Sequence, residues 1–165
     1  MRILLCVILF LSVAWIGVQQ AASCNRKQML LLTTADSLAV LQSEICVQRA
    51  PLPAALFRTA EVFEQTKPFF QLLLQGMESE LPFSVCWRSV VMQMPLPSRE
   101  ARHALLALGE QIGRYDLQAQ ESAFDVCIST IRNDAEKASY ISKENMKLSV
   151  GIGAICGLLL AIVCF

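Results

Sequence analysis

The sequence is short of charge and of histidine. Of its 165 residues only 17% are charged, and Lys plus Arg balances Asp plus Glu at 14 each. No stretch is polybasic, so the electrostatic footprint that a nucleic-acid partner requires is missing. The single histidine, His103, falls in a helical run without a ligand-type neighbour in sequence. We expect it on the surface or at a helix cap, and we expect no nucleic-acid partner.

Sequence motifs that mark an active site are also missing. No phosphate-binding loop, nucleophile elbow or metal-ligand spacing occurs, and Cys46, Cys86 and Cys127 show neither CxxC spacing nor a nearby His. We expect these cysteines to be small buried hydrophobes with free thiols in a reducing compartment. Acidic residues such as Asp134 and Glu136 lie among basic ones and are expected on solvated helix faces. The sequence therefore predicts no enzyme, no cofactor, no metal and no small-molecule substrate.

Apolar residues, by contrast, make up 55% of the chain and are concentrated at its two ends. Residues 3–18 and 148–165 contain no charged side chain, and roughly 17–25 apolar residues are enough to span a bilayer. We predict an N-terminal transmembrane or signal-like segment at residues 1–23 and a C-terminal transmembrane helix at 148–165. Residues 24–147 then form one domain between the two segments.

The charges beside the two apolar segments predict the side of the membrane. Arg26 and Lys27 follow the first segment, and Lys143 and Lys147 precede the second, so the positive-inside bias places the central domain in the cytoplasm. An alternative stays open, because "QQAASC" loosely resembles a lipoprotein cleavage site. In that case the chain is an exported lipoprotein or binding module anchored through Cys24.

Hydrophobic spacing predicts helices throughout the central domain. From Arg26 to Val47 the apolar positions follow the spacing of an amphipathic helix; they are Leu31, Ala35, Leu38, Leu41 or Gln42, and Ile45. Prolines interrupt the chain after Val47: a new helix begins near Pro53, Lys67-Pro68 marks a break, Pro82 opens a further run, and Pro95 and Pro97 close it. Ser98 is a plausible N-cap for the next helix, whose inner face would be Ala101, Leu105, Leu108 and Ile112.

The last helix is expected to be long, because no proline or glycine interrupts residues 117–150. Its apolar seam has coiled-coil-like spacing and comprises Leu117, Phe124, Cys127 or Ile128, Ile131, Ala135, Ala138 and Ile141. The helix that begins near Arg26 is its expected antiparallel partner. The predicted fold class is therefore all-α, a helical bundle domain between two transmembrane helices with a long C-terminal helix.

The segment "LGEQIGRYDLQAQ", residues 108–120, predicts a corner between the last two helices. Gly113 falls just past the final apolar position, where a left-handed residue commonly ends a helix, and Asp116 is placed to cap the next one. Gly109 is expected to let a neighbouring helix approach closely. We therefore expect valine at Gly113 to be more harmful than alanine at Gly109, which would add one methyl group at a close contact.

A second glycine pair lies in the C-terminal apolar run. Gly153 and Gly157 in "GAICG" have the small-xxx-small spacing that permits close packing between transmembrane helices. The partner could be the first apolar segment or another protein.

The chain resembles the stage III sporulation protein AB family of endospore-forming bacteria. The resemblance is carried by "LQSEICVQRAPLPAALFRTA" (41–60), by "LGEQIGRYDLQAQ", by "KENMKLSVGIGAICGLLLAIV" (143–163) and by an N-terminal apolar segment. These features occur in the family's order over nearly the whole chain.

The resemblance implies an all-helical domain similar to the cytoplasmic domain of the inner-membrane platform protein of type II secretion systems. It implies a place among other stage III sporulation proteins in the mother-cell membrane around the forespore, in a channel complex that includes the secretion-type ATPase, sporulation protein AA. The family offers no catalytic residues to carry over. Its polar motif falls on a structural corner and possible docking surface that comprises Gly109, Gly113, Arg114, Tyr115, Asp116 and Gln120.

Overall fold

The structure, a computed structural model, describes residues 25–78, 81–112 and 116–164, and of α6 beyond residue 140 it describes only the backbone. The described residues form six helices and no strand, which confirms the all-α prediction and the long C-terminal helix. The helices are α1 (Asn25–Val47, with a π-turn at Ser43–Val47), α2 (Leu52–Val62), α3 (Lys67–Met77), α4 (Phe83–Gln93), α5 (Arg99–Gln111) and α6 (Leu117–Cys164).

Prolines begin three of these helices. Pro51 is the N-cap of α2, Pro68 lies in the first turn of α3, and Pro82 is the N-cap of α4. Proline suits these positions because its fixed φ is close to helical and its missing N–H would have no partner in the first turn. Lys67 and Pro68 therefore belong to α3, whereas the sequence predicted a break between helices at these two residues.

The helix α1 is a core element of the bundle. Its apolar stripe comprises Leu31, Ala35, Leu38 and Leu41, each at most 1% exposed, as the spacing predicted. Among the described residues α1 is also the one helix long and apolar enough to cross a membrane by length and composition alone. In the structure that apolar stripe packs in the core.

The chain divides into two compact units. One is Met29–Ala135, and the other combines Met1–Gln28 with Glu136–Phe165. Of the predicted membrane segments, residues 1–23 lie outside the described part of the chain. Residues 148–164 belong to the helical backbone of α6, and their place in a membrane stays a prediction.

Within the first unit α1 and α6 run antiparallel, as predicted. The Gln42 Nε2 amide donates to Asp125 Oδ1 at 2.8 Å, and the Arg132 guanidinium contacts Asp36 Oδ1 at 3.1 Å. The partner of Asp36 thus lies later in the sequence than the partner of Gln42. The pairing therefore runs in opposite directions along the two helices, and each helix buries one apolar stripe in the same core.

The predicted seam of α6 is confirmed in its middle and wrong at its start. Five seam positions are buried: Phe124, Cys127, Ile128, Ile131 and Ala135. Leu117 is 41% exposed, because it is the first residue of α6 and projects past the core. One turn later Gln120, a polar residue at 4% exposure, occupies the inward position instead. Ala138 is half-buried, and the side chain of Ile141 is not among those described.

The expectation of a solvated face is wrong for Asp134. Its side chain accepts a hydrogen bond from the Ser98 hydroxyl, and the residue is 8% exposed. The physical reason is helical spacing, since Asp134 lies three residues after the buried Ile131 and therefore on the same side of α6. Glu136 is exposed as expected.

A candidate docking site at the α5–α6 corner

Helix α5 presents the face that the sequence predicted. Ser98 Oγ accepts the backbone N–H of Ala101 at 3.2 Å, so Ser98 is the N-cap. The predicted inner residues Ala101, Leu105, Leu108 and Ile112 are all buried. This packing holds the C-terminal half of α5, where the glycine-containing motif begins, against the core.

Gly109 lies directly against the indole of Trp87 on α4. A Cβ atom at position 109 would stand 2.0 Å from Trp87 Cδ1 and 2.6 Å from Cγ and Nε1, far inside van der Waals contact. The close approach of a neighbouring helix expected at this glycine is therefore present. The indole occupies the space that a methyl group at position 109 would need, and the predicted ranking of valine at Gly113 above alanine at Gly109 in harm stays a prediction.

The indole is fixed in this place by its own contacts. Trp87 Nε1 donates to the backbone carbonyl of Leu105 at 2.7 Å, one helical turn before Gly109 on the same side of α5. Phe69 packs edge-on against the indole with ring centroids 5.4 Å apart, and Phe83 lies at 5.7 Å. Because Gly109 has no side chain, the buried indole N–H of Trp87 can reach the Leu105 carbonyl. This contact offsets the roughly 0.5–1 kcal/mol that a glycine costs inside a helix.

Side chains of the motif also satisfy the backbone at the corner. Helix α5 ends at Gln111, after which Ile112 is extended with ψ 129°. The Gln120 Nε2 amide donates to the Gln111 carbonyl at 3.3 Å, a group that has no partner within its own helix. Asp116 Oδ1 accepts the N–H groups of Gln118 and Ala119 at 3.0 and 3.1 Å, so Asp116 caps α6.

Three motif residues lie outside the described part of the chain, namely Gly113, Arg114 and Tyr115. Their expected roles as helix stop and docking loop stay predictions. Gly153 and Gly157 belong to the helical backbone of α6, in the part of the helix whose side chains are not described.

The structure brings a second segment to this corner. Near the end of α1, the Gln42 Nε2 amide contacts both the Asp125 carboxylate and the backbone carbonyl of Glu121, the latter at 3.5 Å. Burial, and then the carboxylates of Glu121 and Asp125, raise the pKa of the half-buried Cys46 thiol. The last turns of α1 therefore lie beside the first turns of α6. Segment 41–60, one of those that carried the family resemblance, thus reaches the helix that segment 108–120 begins.

On its other side the end of α1 is tied to α2. Glu44 lies in the π-turn, and its carboxylate oxygens accept from Arg58 Nη1 at 2.9 Å and from Gln48 Nε2 at 3.0 Å. The Glu44 side chain is 11% exposed and that of Arg58 57%. The ion pair fixes the turn between α1 and α2 by a charge-assisted hydrogen bond.

The polar groups of the site are engaged in holding backbone. Among the described residues no group of three or more His, Cys, Asp or Glu side chains is placed to hold a metal ion. Burial raises the pKa of Cys127 to about 12, so its thiol stays protonated at neutral pH and is a poor nucleophile. These contacts fix the relative positions of three helix ends, namely the end of α1, the end of α5 and the start of α6.

Sequence reasoning missed several residues of the site, chief among them Trp87, Gln42, Glu44 and Arg58. Trp87 had one available signal, because it is the single tryptophan between the two apolar ends. Nothing in the local sequence marks Glu44 as buried, because its burial depends on the π-turn and on an arginine fourteen residues later.

The fold and the corner define the class of protein: a small helical bundle whose motif side chains cap and join helix ends. A sequence model of the stage III sporulation protein AB family matches residues 2–165, and the chain belongs to that family. It is therefore a sporulation-related protein. No curated protein and no solved structure matches the chain significantly.

Proposed function

We propose that the protein is a non-enzymatic scaffold in the mother-cell membrane around the forespore. In this proposal it is anchored by its two apolar ends and belongs to the channel complex of stage III sporulation proteins, with the central domain in the cytoplasm. Membership of the stage III sporulation protein AB family supports a role in sporulation. The uncharged runs 3–18 and 148–165 support the membrane anchoring.

One observation carries the scaffold proposal: the end of α1, in segment 41–60, lies beside the first turns of α6, where segment 108–120 ends, and the polar side chains there cap a helix or bond to a neighbouring one. Gln120 bonds to the last turn of α5, Asp116 caps α6, and Gln42 bonds to Asp125 and to the backbone of Glu121. A site built for chemistry would aim such groups at a substrate. A site built for recognition needs a rigid outline, and these contacts supply rigidity.

The partner in this proposal is the secretion-type ATPase, sporulation protein AA. Its contact surface is the corner around Gly109 to Asp116, where Arg114 and Tyr115 are residue types enriched in binding hot spots. The corner is suited to docking because the Gln120–Gln111 bond joins α6 to the end of α5 and the Asp116 cap fixes the first turn of α6.

A pull-down with the full-length protein in detergent micelles tests this proposal. Wild type is compared with the double variant Arg114→Glu/Tyr115→Ala and with Arg99→Glu, a matched charge reversal at the other, exposed end of α5. We expect wild type and Arg99→Glu to retain the ATPase and the double variant to lose it, with circular dichroism confirming that all three are folded.

Two results would count against the proposal. No capture by wild type at tens of micromolar, about −6 kcal/mol, would mean that direct recruitment does not occur. Equal capture by wild type and the double variant would mean that the ATPase binds another surface.

A further inference from the structure

The end of α1 departs from α-helical geometry in a way that joins two neighbouring helices. The Gln48 N–H bonds to the Ser43 carbonyl at 3.0 Å and the Ala50 N–H to the Glu44 carbonyl at 2.9 Å. These bonds reach back five and six residues, whereas an α-helix reaches back four. The widened turn keeps Glu44, Ile45 and Cys46 all out of full solvent exposure.

Side chains in and just before the widened turn contact two different helices, α2 and α6. Glu44 bonds to Arg58 of α2, while Gln42 bonds to the first turns of α6 and Cys46 lies near Glu121 and Asp125. A regular α-helix rotates successive residues by about 100°, so contraction of the π-turn would turn the following residues away from their present partners. In the observed arrangement Glu44 contacts Arg58, and a turn contracted to α-helical geometry would lose that contact.

We propose that the π-turn Ser43–Val47 is a conformational switch. The Glu44–Arg58 ion pair holds the turn in its observed π geometry, the closed state. Opening of the switch is loss of this pair and contraction of the turn to α-helical geometry, which withdraws the end of α1 from the first turns of α6. The exposure of the pair is unequal, at 11% for the Glu44 side chain and 57% for Arg58. Arg58 is the more accessible member of the pair, so a solvent or partner group that competes for the contact meets the arginine first. The π-turn is followed by Arg49 at φ 51°, a second uncommon backbone conformation at the same junction.

The reporter for this switch is Cys46, which is half-buried in the closed turn. Full-length protein in detergent micelles is alkylated with iodoacetamide at about pH 9, near the ordinary thiol pKa, and each cysteine is quantified by peptide mass spectrometry. We expect Glu44→Gln and Arg58→Gln each to speed Cys46 alkylation about tenfold, the scale of one charge-assisted hydrogen bond. Gln48→Ala, which removes an exposed partner of Glu44, should speed it about threefold.

Two controls separate a switch from general loosening. Asp36→Asn breaks another ion pair between α1 and a neighbouring helix, with both side chains half exposed, and should leave the Cys46 rate within about twofold of wild type. The buried Cys127 should stay protected in every variant.

An unchanged Cys46 rate in the Glu44 and Arg58 variants would overturn the proposal. A parallel rise at Cys127, or an equal rise in Asp36→Asn, would overturn it as well. If either charged-pair variant fails to fold, Gln48→Ala decides the question by the same criteria.

Discussion

At the scale of single residues, a few close contacts set the geometry of the corner. The indole of Trp87 occupies the space where a Cβ atom at position 109 would lie. In this position its N–H donates to the Leu105 carbonyl. Close packing of this kind tolerates little added volume, because a protein interior has few voids into which a neighbour can move. The residue type tolerated at such a position depends on the neighbouring side chains as much as on the helix that contains it.

We expect Gly109→Ala to lower the free energy of unfolding by about 2–3 kcal/mol, because the indole is pinned by its hydrogen bond and by two phenylalanines. Urea titration of the full-length protein in detergent measures this change. Gly76→Ala is the control, since its Cβ would lie 3.2 Å from the Cys86 side chain, and the gain in helix propensity, up to about 1 kcal/mol, should leave stability nearly unchanged. Equal stability of wild type and Gly109→Ala would contradict a steric clash with the indole.

Arg49 offers the opposite test, a residue whose substitution by glycine should stabilise the fold. Its φ of 51° costs an L-residue about 1–2 kcal/mol, and glycine loses about 0.5–1 kcal/mol of chain entropy, so Arg49→Gly should gain about 0.5–1 kcal/mol. Thermal unfolding measures the gain. Arg49→Ala separates backbone from side chain, because it keeps the strained φ, and a gain equal to that of glycine would refute the explanation.

At the scale of helices, the ends of α5 and α6 are held by side-chain caps of different strength. Asp116 accepts two N–H groups in the first turn of α6 and is itself exposed. Ser98 caps α5 and also donates to the buried carboxylate of Asp134 on α6. The second cap therefore joins two helices as well as ending one.

This difference predicts an order of stability losses. Asp116→Ala should cost about 1 kcal/mol, the usual value of an N-cap. Ser98→Ala should cost about 2 kcal/mol, because it removes the cap and a hydrogen bond to a buried charge. Chemical unfolding of both variants beside Ser98→Thr, which keeps the hydroxyl, checks the order. Equal losses in the two alanine variants would mean that the Ser98–Asp134 bond adds nothing.

At the scale of the whole molecule, a compact helical unit is combined with two uncharged ends. The unit Met29–Ala135 buries its apolar stripes in one core. Within the described ranges, Cys46, Cys86 and Cys127 are not joined in disulfides. This state suits the reducing cytoplasm that the flanking charges predict for the central domain.

We therefore expect these three cysteines to be reduced in cells. Alkylation under denaturing conditions, followed by mass spectrometry, measures the fraction of each thiol. A stoichiometric disulfide among them would argue for an exported domain. Intact mass adds a second check, because cleavage before Cys24 with attached diacylglycerol would replace the two-span arrangement with a lipoprotein.

Periodicity alone determined most of the helical architecture. The stripe of α1, the inner face of α5 and the middle of the α6 seam were all predicted from apolar spacing, because burial of one face contributes most of the stability of an amphipathic helix. Prolines located the starts of α2, α3 and α4 to within a turn, because their backbone restrictions are local. Ser98 and Asp116 were recognisable as caps for the same reason.

Only the tertiary structure decided which polar and glycine positions matter and to what they bond. The partner of Gly109 is a tryptophan twenty-two residues earlier, Asp134 is buried by a serine on another helix, and Glu44 by an arginine on α2. Such contacts depend on side-chain direction and on the meeting of helix ends, and neither has a period in the sequence. Local spacing therefore specifies which face of a helix is buried, whereas the packing of that face against others determines which single atoms meet.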